Sequence, residues 1–355
     1  MHFGTLIWPL PALAAQQTKW VEEQGFTHAW FGDVPIAGGA DVYVCMALAA
    51  KATSTIKLGT YIAPAPLRSP VVTVSSIATI NALAPGRVIL GFGSGAFSLC
   101  LTGLPPMKVK DFRAQARLIR GLLDGGDGID ETVGGQRKVR FFNRDLRAVV
   151  LDGPIPFFVA ASAPKAAAVA GEFGDGLITA GWPLPEDVAR VLDRAVAAAH
   201  RVGRRFENPP YVMEGPICVL HKGEPIDSPR VLDATQPFIM TSFKFSASLR
   251  APAEMFPGPA RPAYREYCAH VEAMRLGEAE RHLGIWEGCF MVRPEERRFM
   301  TPEVIRSTTL TGPLEEVVER MQALETAGLN HWTVWLPTSA AEEYVHDLQA
   351  VRERL

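Results

Sequence analysis

Little in this chain of 355 residues is extreme, and what it lacks is informative. Acidic and basic side chains nearly cancel, leaving a formal charge of −2, so there is no basic field to attract nucleic acid or an anionic membrane. Cysteine is scarce: Cys45, Cys100, Cys218, Cys268 and Cys289 are odd in number, scattered, and never at metal-ligand spacing. That excludes a disulfide framework and reads as reduced thiols in a cytoplasmic protein. Apolar runs are short, and none reaches the length of a membrane span. The segment LIWPLPALAA is broken by Pro9 and Pro11 and has no Lys or Arg ahead of it, so it does not read as a secretion signal. Absent too is a GxGxxG opening a first strand–helix unit, which disfavours NAD.

What is present is a 48% hydrophobic composition, enough for a large core. Length alone suggests two domains, but an α/β barrel holds this much chain as one, and no linker divides residues 1–355. Short apolar runs alternate with amphipathic helical patterns. Candidate strands are 3–8, 29–32, 56–62, 88–92, 157–161, 177–179, 214–220 and 332–336, each continuously apolar, as in a parallel sheet buried on both faces. Candidate helices at 12–24, 111–123, 164–173, 187–202 and 314–327 stop at Gly25, Gly125, Gly174, Gly203 and Gly328, as left-handed helix ends favour; a further one covers 41–52. Eight strands in alternation predict a (β/α)8 TIM barrel, with a doubly wound open sheet as the other arrangement. Two segments stand outside the alternation. Residues 126–153 predict a loop or hairpin excursion. Residues 237–300, between strands seven and eight, form an insertion that either shapes the ligand pocket or makes an oligomer contact.

Three small-sided turns are candidate sites. In PIPFFVAASAPKAAAVAGEFGDGLITAG, an apolar strand runs into Ala160, Ala161, Ser162 and Ala163 before Pro164 opens a helix. Ser162 is a good N-cap residue and Pro164 suits the first helical turn. Amides of residues 161–163 would then face an anion at the helix N-terminus, although the same pattern equally makes a plain strand-to-helix turn. Gly93, Ser94 and Gly95 follow the fourth strand, where bare backbone permits close approach. In LGTYIAPAP, a glycine inside the strand suggests a bulge before the prolines end it.

The runs GFTHAWFGD, LAPGRVILGFGSG, DFRAQARLIRGLLDGG, IPFFVAASAPKAAAVAGEFGDGLI and LTGPLEEVVERMQALETAGLNHWTVW together resemble the bacterial luciferase-like superfamily. Within it the chain looks most similar to the methylenetetrahydromethanopterin-reductase type, which uses the deazaflavin coenzyme F420; other branches use FMN. The resemblance implies a ring lying at the C-terminal mouth of the barrel. It implies a non-prolyl cis peptide at Tyr61–Ile62 behind the ring, and phosphate contacts at Ala160, Ala161, Ser162 and Ala163. It also places Asp33 near the ring's polar edge and Gly93, Ser94 and Gly95 at the fourth-strand exit. Two positions depart from the sugar-phosphate and alcohol dehydrogenases of this kind: Val34 replaces a histidine and Ala96 a glutamate, which removes acid/base groups for alcohol oxidation.

Further mouth candidates are Trp8, Thr179 and Trp182 for a substrate pocket, with Glu214, His221, His331 and Trp335. Glu214, read as opening the seventh strand, is with Asp33 the candidate catalytic acid; burial would suit it to proton donation. His331 precedes the eighth strand on the stabilising face and reads as structural, while His221 faces the mouth side but is followed by a turn. No metal cluster emerges. These readings predict an oxidoreductase moving a hydride between F420 and a small organic substrate with an activated C=C, C=N or carbonyl. The alternatives are an FMN-dependent monooxygenase or a non-catalytic flavin- or deazaflavin-binding protein. The resemblance is compatible with a homodimer, the sequence leaves the oligomeric state open, and no nucleic-acid or membrane partner is expected.

Overall fold

The computed structural model describes residues 1–131, 134–146, 149–151, 153–337 and 341–355. Eight strands make the barrel: β1 (His2–Ile7), β2 (His28–Phe31), β3 (Lys57–Thr60), β4 (Val88–Gly93), β5 (Phe157–Ala160), β6 (Gly176–Thr179), β7 (Tyr211–Glu214) and β8 (His331–Val334). All barrel pairings are parallel, in the order β3-β2-β1-β8-β7-β6-β5-β4, and β3 pairs with β4 to close the ring. The fold is therefore a (β/α)8 barrel. Its helices are α1 (Ala14–Glu23), α2 (Val42–Ala52), α3 (Pro70–Leu83), α4 (Val109–Leu123), α5 (Pro164–Phe173), α6 (Pro185–Arg201), α7 (Leu314–Thr326) and α8 (Ala341–Arg352). Other elements are named by their residues.

Alternation along each strand decides what fills the barrel. Trp30, Ile89, Phe158, Ile178 and Val212 form an inner cluster with Leu6, Tyr61 and Ile62 against it. Trp30 is the largest of these, and glycine makes room for it: a Cβ on Gly59 would lie 2.2 Å from its ring, and one on Gly4 2.7 Å away. The glycine within β3 thus serves a tryptophan on the neighbouring strand. Where β3 and β4 diverge, the Thr60 hydroxyl replaces the ladder, donating to the Gly91 carbonyl at 2.6 Å and accepting from its N–H at 3.0 Å.

Several sequence expectations are corrected. The apolar run 214–220 is not one strand. Gly215 and Pro216 break it, because proline has no N–H for a ladder, so β7 is the preceding Tyr211–Glu214. Ile217–Val219 pairs instead with Leu310–Gly312 as a separate two-stranded sheet. Between β7 and α7 the insertion is accordingly wider than 237–300 and contains a twenty-residue helix, Pro229–Ser248. Gly25, Gly125, Gly203 and Gly328 do have positive φ, but Gly174 has φ −79°, and its small size rather than its handedness is used: a Cβ would lie 2.8 Å from the Ala170 carbonyl oxygen. Helix α3 was absent from the sequence reading. The excursion contains an antiparallel hairpin, Gly128–Asp130 with Arg137–Val139; residues 132–133, 147–148 and 152 of it lie outside the described residues.

Among the described residues no helix is long and apolar enough to cross a membrane, and no group of three or more His, Cys, Asp or Glu is disposed to hold a metal ion.

Candidate active site at the barrel mouth

The C-terminal ends of the strands carry the chemistry-bearing residues, as in barrels generally. Ending β7 at Glu214 has a direct consequence: this mouth candidate is the last residue of its strand and not, as the sequence suggested, the first. Two residues beyond Val212 on the inner register, Glu214 is half-buried. Its Oε2 accepts from the indole Nε1 of Trp335 at 2.7 Å, and its Oε1 accepts no bond from a described residue. Burial pushes the carboxyl up from 4.5 to about 7, against the downward pull of the Trp335 hydrogen bond. The buried Tyr61 hydroxyl has no hydrogen-bond partner among the described residues and is pushed well above its ordinary range by burial and then by the Glu214 charge.

Opposite this acid lies a shelf nearly without side chains. The Tyr61–Ile62 peptide is cis, as the family resemblance implied. A Cβ on Gly93 would fall 2.1 Å from Ile62 Cδ1 and 2.8 Å from Ala160 Cβ, so the exits of β3, β4 and β5 touch each other across that glycine. Gly95, at φ +70°, would place a Cβ 2.9 Å from Pro64 and 2.8 Å from Pro66. Next to it Ser94 is half-buried.

The turn into α5 is partly as expected. Pro164 occupies the first helical turn, but Ser162 is not the N-cap. That position is Ala163, and no side chain caps it. Ser162 Oγ instead accepts from the Ala180 N–H at 3.0 Å, tying the end of β5 to that of β6. Ala161 is buried and its amide is already bound to the Ile178 carbonyl at 2.8 Å, so it has no free donor. The amides of Ser162 and Ala163 have no acceptor among the described residues, and both residues are exposed. The anion-facing donors are therefore Ser162 and Ala163, ahead of the first turn of α5.

Asp33 is buried and is not a lone acid. Arg68, unnoticed in the sequence, pairs with its Oδ2 and bridges to Asp41 at 2.9 Å, while Asp33 Oδ1 stays buried without a partner among the described residues. Burial outweighs Arg68 and raises the Asp33 carboxyl above its usual value. Asp41 in turn caps α2 by accepting from the amides of Tyr43 and Val44.

Aromatic rings wall the mouth. Trp182 donates to the Met255 carbonyl at 2.9 Å and packs on Phe256 of the insertion. Phe238, from the insertion helix, lies 5.9 Å from Trp335. Trp8 follows β1 and meets Phe290 at 5.1 Å. Thr179 is buried, and its hydroxyl lies 3.5 Å from that of Tyr211. His221 is excluded: it follows the outlying strand Ile217–Val219, is exposed, and pairs with Asp347 at 3.1 Å. His331 begins β8 at the opposite pole, as the sequence predicted. There it forms a ring cluster with His2 and His28 that the sequence reading missed.

A closed parallel barrel with a glycine-rich shelf, free amides and a half-buried acid at its mouth defines a cofactor-binding α/β barrel. The family model described as luciferase-like monooxygenase matches residues 11–331, and the chain belongs to that family. It is 27% identical over 317 residues to a 5,10-methylenetetrahydromethanopterin reductase of Archaeoglobus fulgidus, covering 88% of this chain and 85% of that one. Among solved structures, the coenzyme F420-dependent tetrahydromethanopterin reductase of Methanopyrus kandleri superposes with TM-score 0.67 at 21% identity, covering 98% of this chain and 96% of that chain. An F420-dependent secondary alcohol dehydrogenase in complex with an F420–acetone adduct superposes with TM-score 0.69 at 18% identity, covering 99% and 98%. At those identities the two structures speak to the fold alone.

Proposed function

We propose that this protein is an oxidoreductase that uses coenzyme F420 to reduce a small organic substrate bearing an activated C=C, C=N or carbonyl group. One observation carries the reading: the same barrel mouth holds a small-sided shelf at Ile62, Gly93 and Ala160 and a half-buried carboxyl, Glu214, that burial pushes up to about 7. The names of the relatives support the choice of deazaflavin. When bound, the reduced cofactor supplies the hydride.

The chain's own residues divide the remaining work. The free amides of Ser162 and Ala163, with the positive end of α5 behind them, would hold the cofactor's phosphate. Ile62, Gly93, Ser94 and Gly95 would support the ring, and the unpartnered Asp33 Oδ1 would meet a polar edge. Glu214, with Oε2 fixed by Trp335, presents Oε1 to the substrate, gives up its proton and is left as a carboxylate. Trp8, Trp182 and Trp335 exclude water and favour a flat, apolar substrate. Val34 and Ala96 leave alcohol oxidation without the acid/base groups of the dehydrogenase type.

The outer faces of α2 and α3 expose Val44 (53%), Leu48 (41%) and Val72 (50%), which supports a homodimer; light scattering on the eluting protein tests it. The function is tested by titrating the protein separately with F420 and FMN, then following oxidation of reduced F420 and oxygen uptake with cyclic enones and imines. Binding of F420 with enone-dependent oxidation supports the reading. Binding of FMN alone, with oxygen consumed, replaces it by a flavin monooxygenase, and F420 binding without turnover of any acceptor leaves a cofactor-binding protein.

A further inference from the structure

The insertion carries one ring that touches the loops of three barrel strands. Phe290 lies 5.1 Å from Trp8 after β1, 5.8 Å from Phe97 after β4 and 5.9 Å from Trp335 after β8. Its ring is nearly parallel to that of Phe97, at 15°, and edge-on to the two tryptophans. A ring in contact with all three loops lies across the mouth, directly beside the tryptophan that holds Glu214.

The loop bearing Phe290 is pinned from behind by a buried cation. Lys244, on the helix Pro229–Ser248, is fully buried, and its ammonium donates to the carbonyls of Glu287 (3.3 Å), Cys289 (3.1 Å) and Met291 (3.3 Å). These carbonyls bracket Phe290. Lys244 also pairs with Glu296 at 3.3 Å, itself fully buried. Glu296 accepts from the Arg293 guanidinium at 2.8 Å and from the Arg293 amide at 2.9 Å, and Arg293 reaches Glu287 at 3.1 Å. Within the pinned turn, Gly288 and Cys289 both have positive φ, at 75° and 50°. A non-glycine residue holds that conformation only where its surroundings enforce it; here the Lys244 bond to the Cys289 carbonyl acts with two turn bonds, from the Cys289 amide to the Trp286 carbonyl at 2.7 Å and from the Met291 amide to the Gly288 carbonyl at 2.8 Å.

We propose that Phe290 closes the substrate side of the mouth and sets the size of acceptor admitted, with Lys244 as the positioning residue that fixes its loop. This rests on the proposed function for the nature of the acceptor, but the closure itself stands on geometry. A ring in that position discriminates by bulk, so the acceptor favoured is the smaller of two bearing the same reducible bond.

The test compares wild type, Phe290→Ala and Lys244→Met with cyclohex-2-enone and a fused two-ring enone, under saturating reduced F420. Deleting the ring is expected to raise kcat/KM for the two-ring enone about tenfold relative to cyclohexenone, the scale on which an apolar wall discriminates, through KM rather than kcat. Lys244→Met should move the same ratio in the same direction. An unchanged ratio in Phe290→Ala overturns the assignment of Phe290. Two readouts need no turnover and separate this inference from the proposed function. Acrylamide quenching of tryptophan emission should increase in Phe290→Ala, because Trp8 and Trp335 lose their cover; unchanged quenching overturns the closure. Peptide-resolved iodoacetamide labelling of Cys289 should quicken about tenfold in Lys244→Met as the loop is released, while the buried Cys45, Cys100 and Cys218 stay protected. Labelling of Cys289 at the wild-type rate, or of all these cysteines together, overturns the clamp.

Discussion

The indole of Trp335 donates to Oε2 of Glu214 at 2.7 Å, joining the residue after β8 to the last residue of β7. This bond stabilises the carboxylate, yet burial dominates and the carboxyl stands at about 7. As proton donor it is active while protonated, so kcat/KM should fall as pH rises through about 7. Trp335→Phe removes the donor to the ionised form and should move that limb upward by about one pH unit. Glu214→Gln should abolish the limb and lower the rate about 10²–10⁴-fold while F420 still binds. A pH–rate profile that is identical in Trp335→Phe and wild type would remove Glu214 from the role. The same shift has a stability consequence. The native state keeps the proton to about 7 while the unfolded chain releases it near 4.5, so stability is lost as pH rises between those values, and Glu214→Gln should not show that loss.

Ser162 supplies an amide and, separately, a hydroxyl bound to Ala180. The two roles separate by substitution. Ser162→Ala keeps the amide and should leave cofactor affinity within about threefold, whereas Ser162→Asp sets a like charge beside the phosphate and should weaken it about tenfold or more. Fluorescence titration measures both. Equal affinities in the two variants would place the phosphate elsewhere.

Gly93 is where the exits of β3, β4 and β5 meet. Gly93→Ala forces a methyl to 2.1 Å from Ile62 Cδ1, so the shelf must shift. Overpacking of this kind costs about 1–3 kcal/mol, read as a lower denaturant midpoint, and cofactor affinity should fall with it. A variant of wild-type stability and affinity would show that Ile62 swings aside freely and that the shelf is not fixed.

The barrel was legible because buried parallel strands read as short apolar runs, and the glycine and alanine turns because small residues at a strand exit stand out. Four features were hidden for physical reasons. Helix α3, PVVTVSSIATINAL, is apolar on its inner face at Val74 and Ile77 and also outside at Val72 and Leu83, so it shows no helical period. Glu214 was assigned to the wrong end of its strand because an apolar stretch flanks the Gly215–Pro216 break on both sides. Arg68 and Phe290 reach the mouth only through the fold, the second from a segment about eighty residues beyond β7 in the chain, and no local pattern announces either.

The pole opposite the mouth offers the last test. His28 stacks on Trp30 with ring centroids 5.6 Å apart, its Nδ1 lies 2.8 Å from the Thr27 hydroxyl, and His331 and His2 lie 4.8 Å and 5.8 Å away. Burial lowers His28 from 6.5 to about 3 and His331 to about 4, with the neighbouring imidazoles and, for His28, Lys57 adding to the effect. Both are neutral in the folded protein where the unfolded chain takes up protons. The histidines' contribution to stability should therefore be level above about 6.5 and decline below it, by about 1.4 kcal/mol per pH unit for each, until the folded values are approached, while Glu214 acts in the opposite sense between about 4.5 and 7. Urea midpoints at pH 7 and pH 5 measure the decline in a Glu214→Gln background, where the opposing slope of that carboxyl is absent. His28→Leu should roughly halve the slope, while a slope unchanged by that substitution would assign the acid sensitivity to other groups.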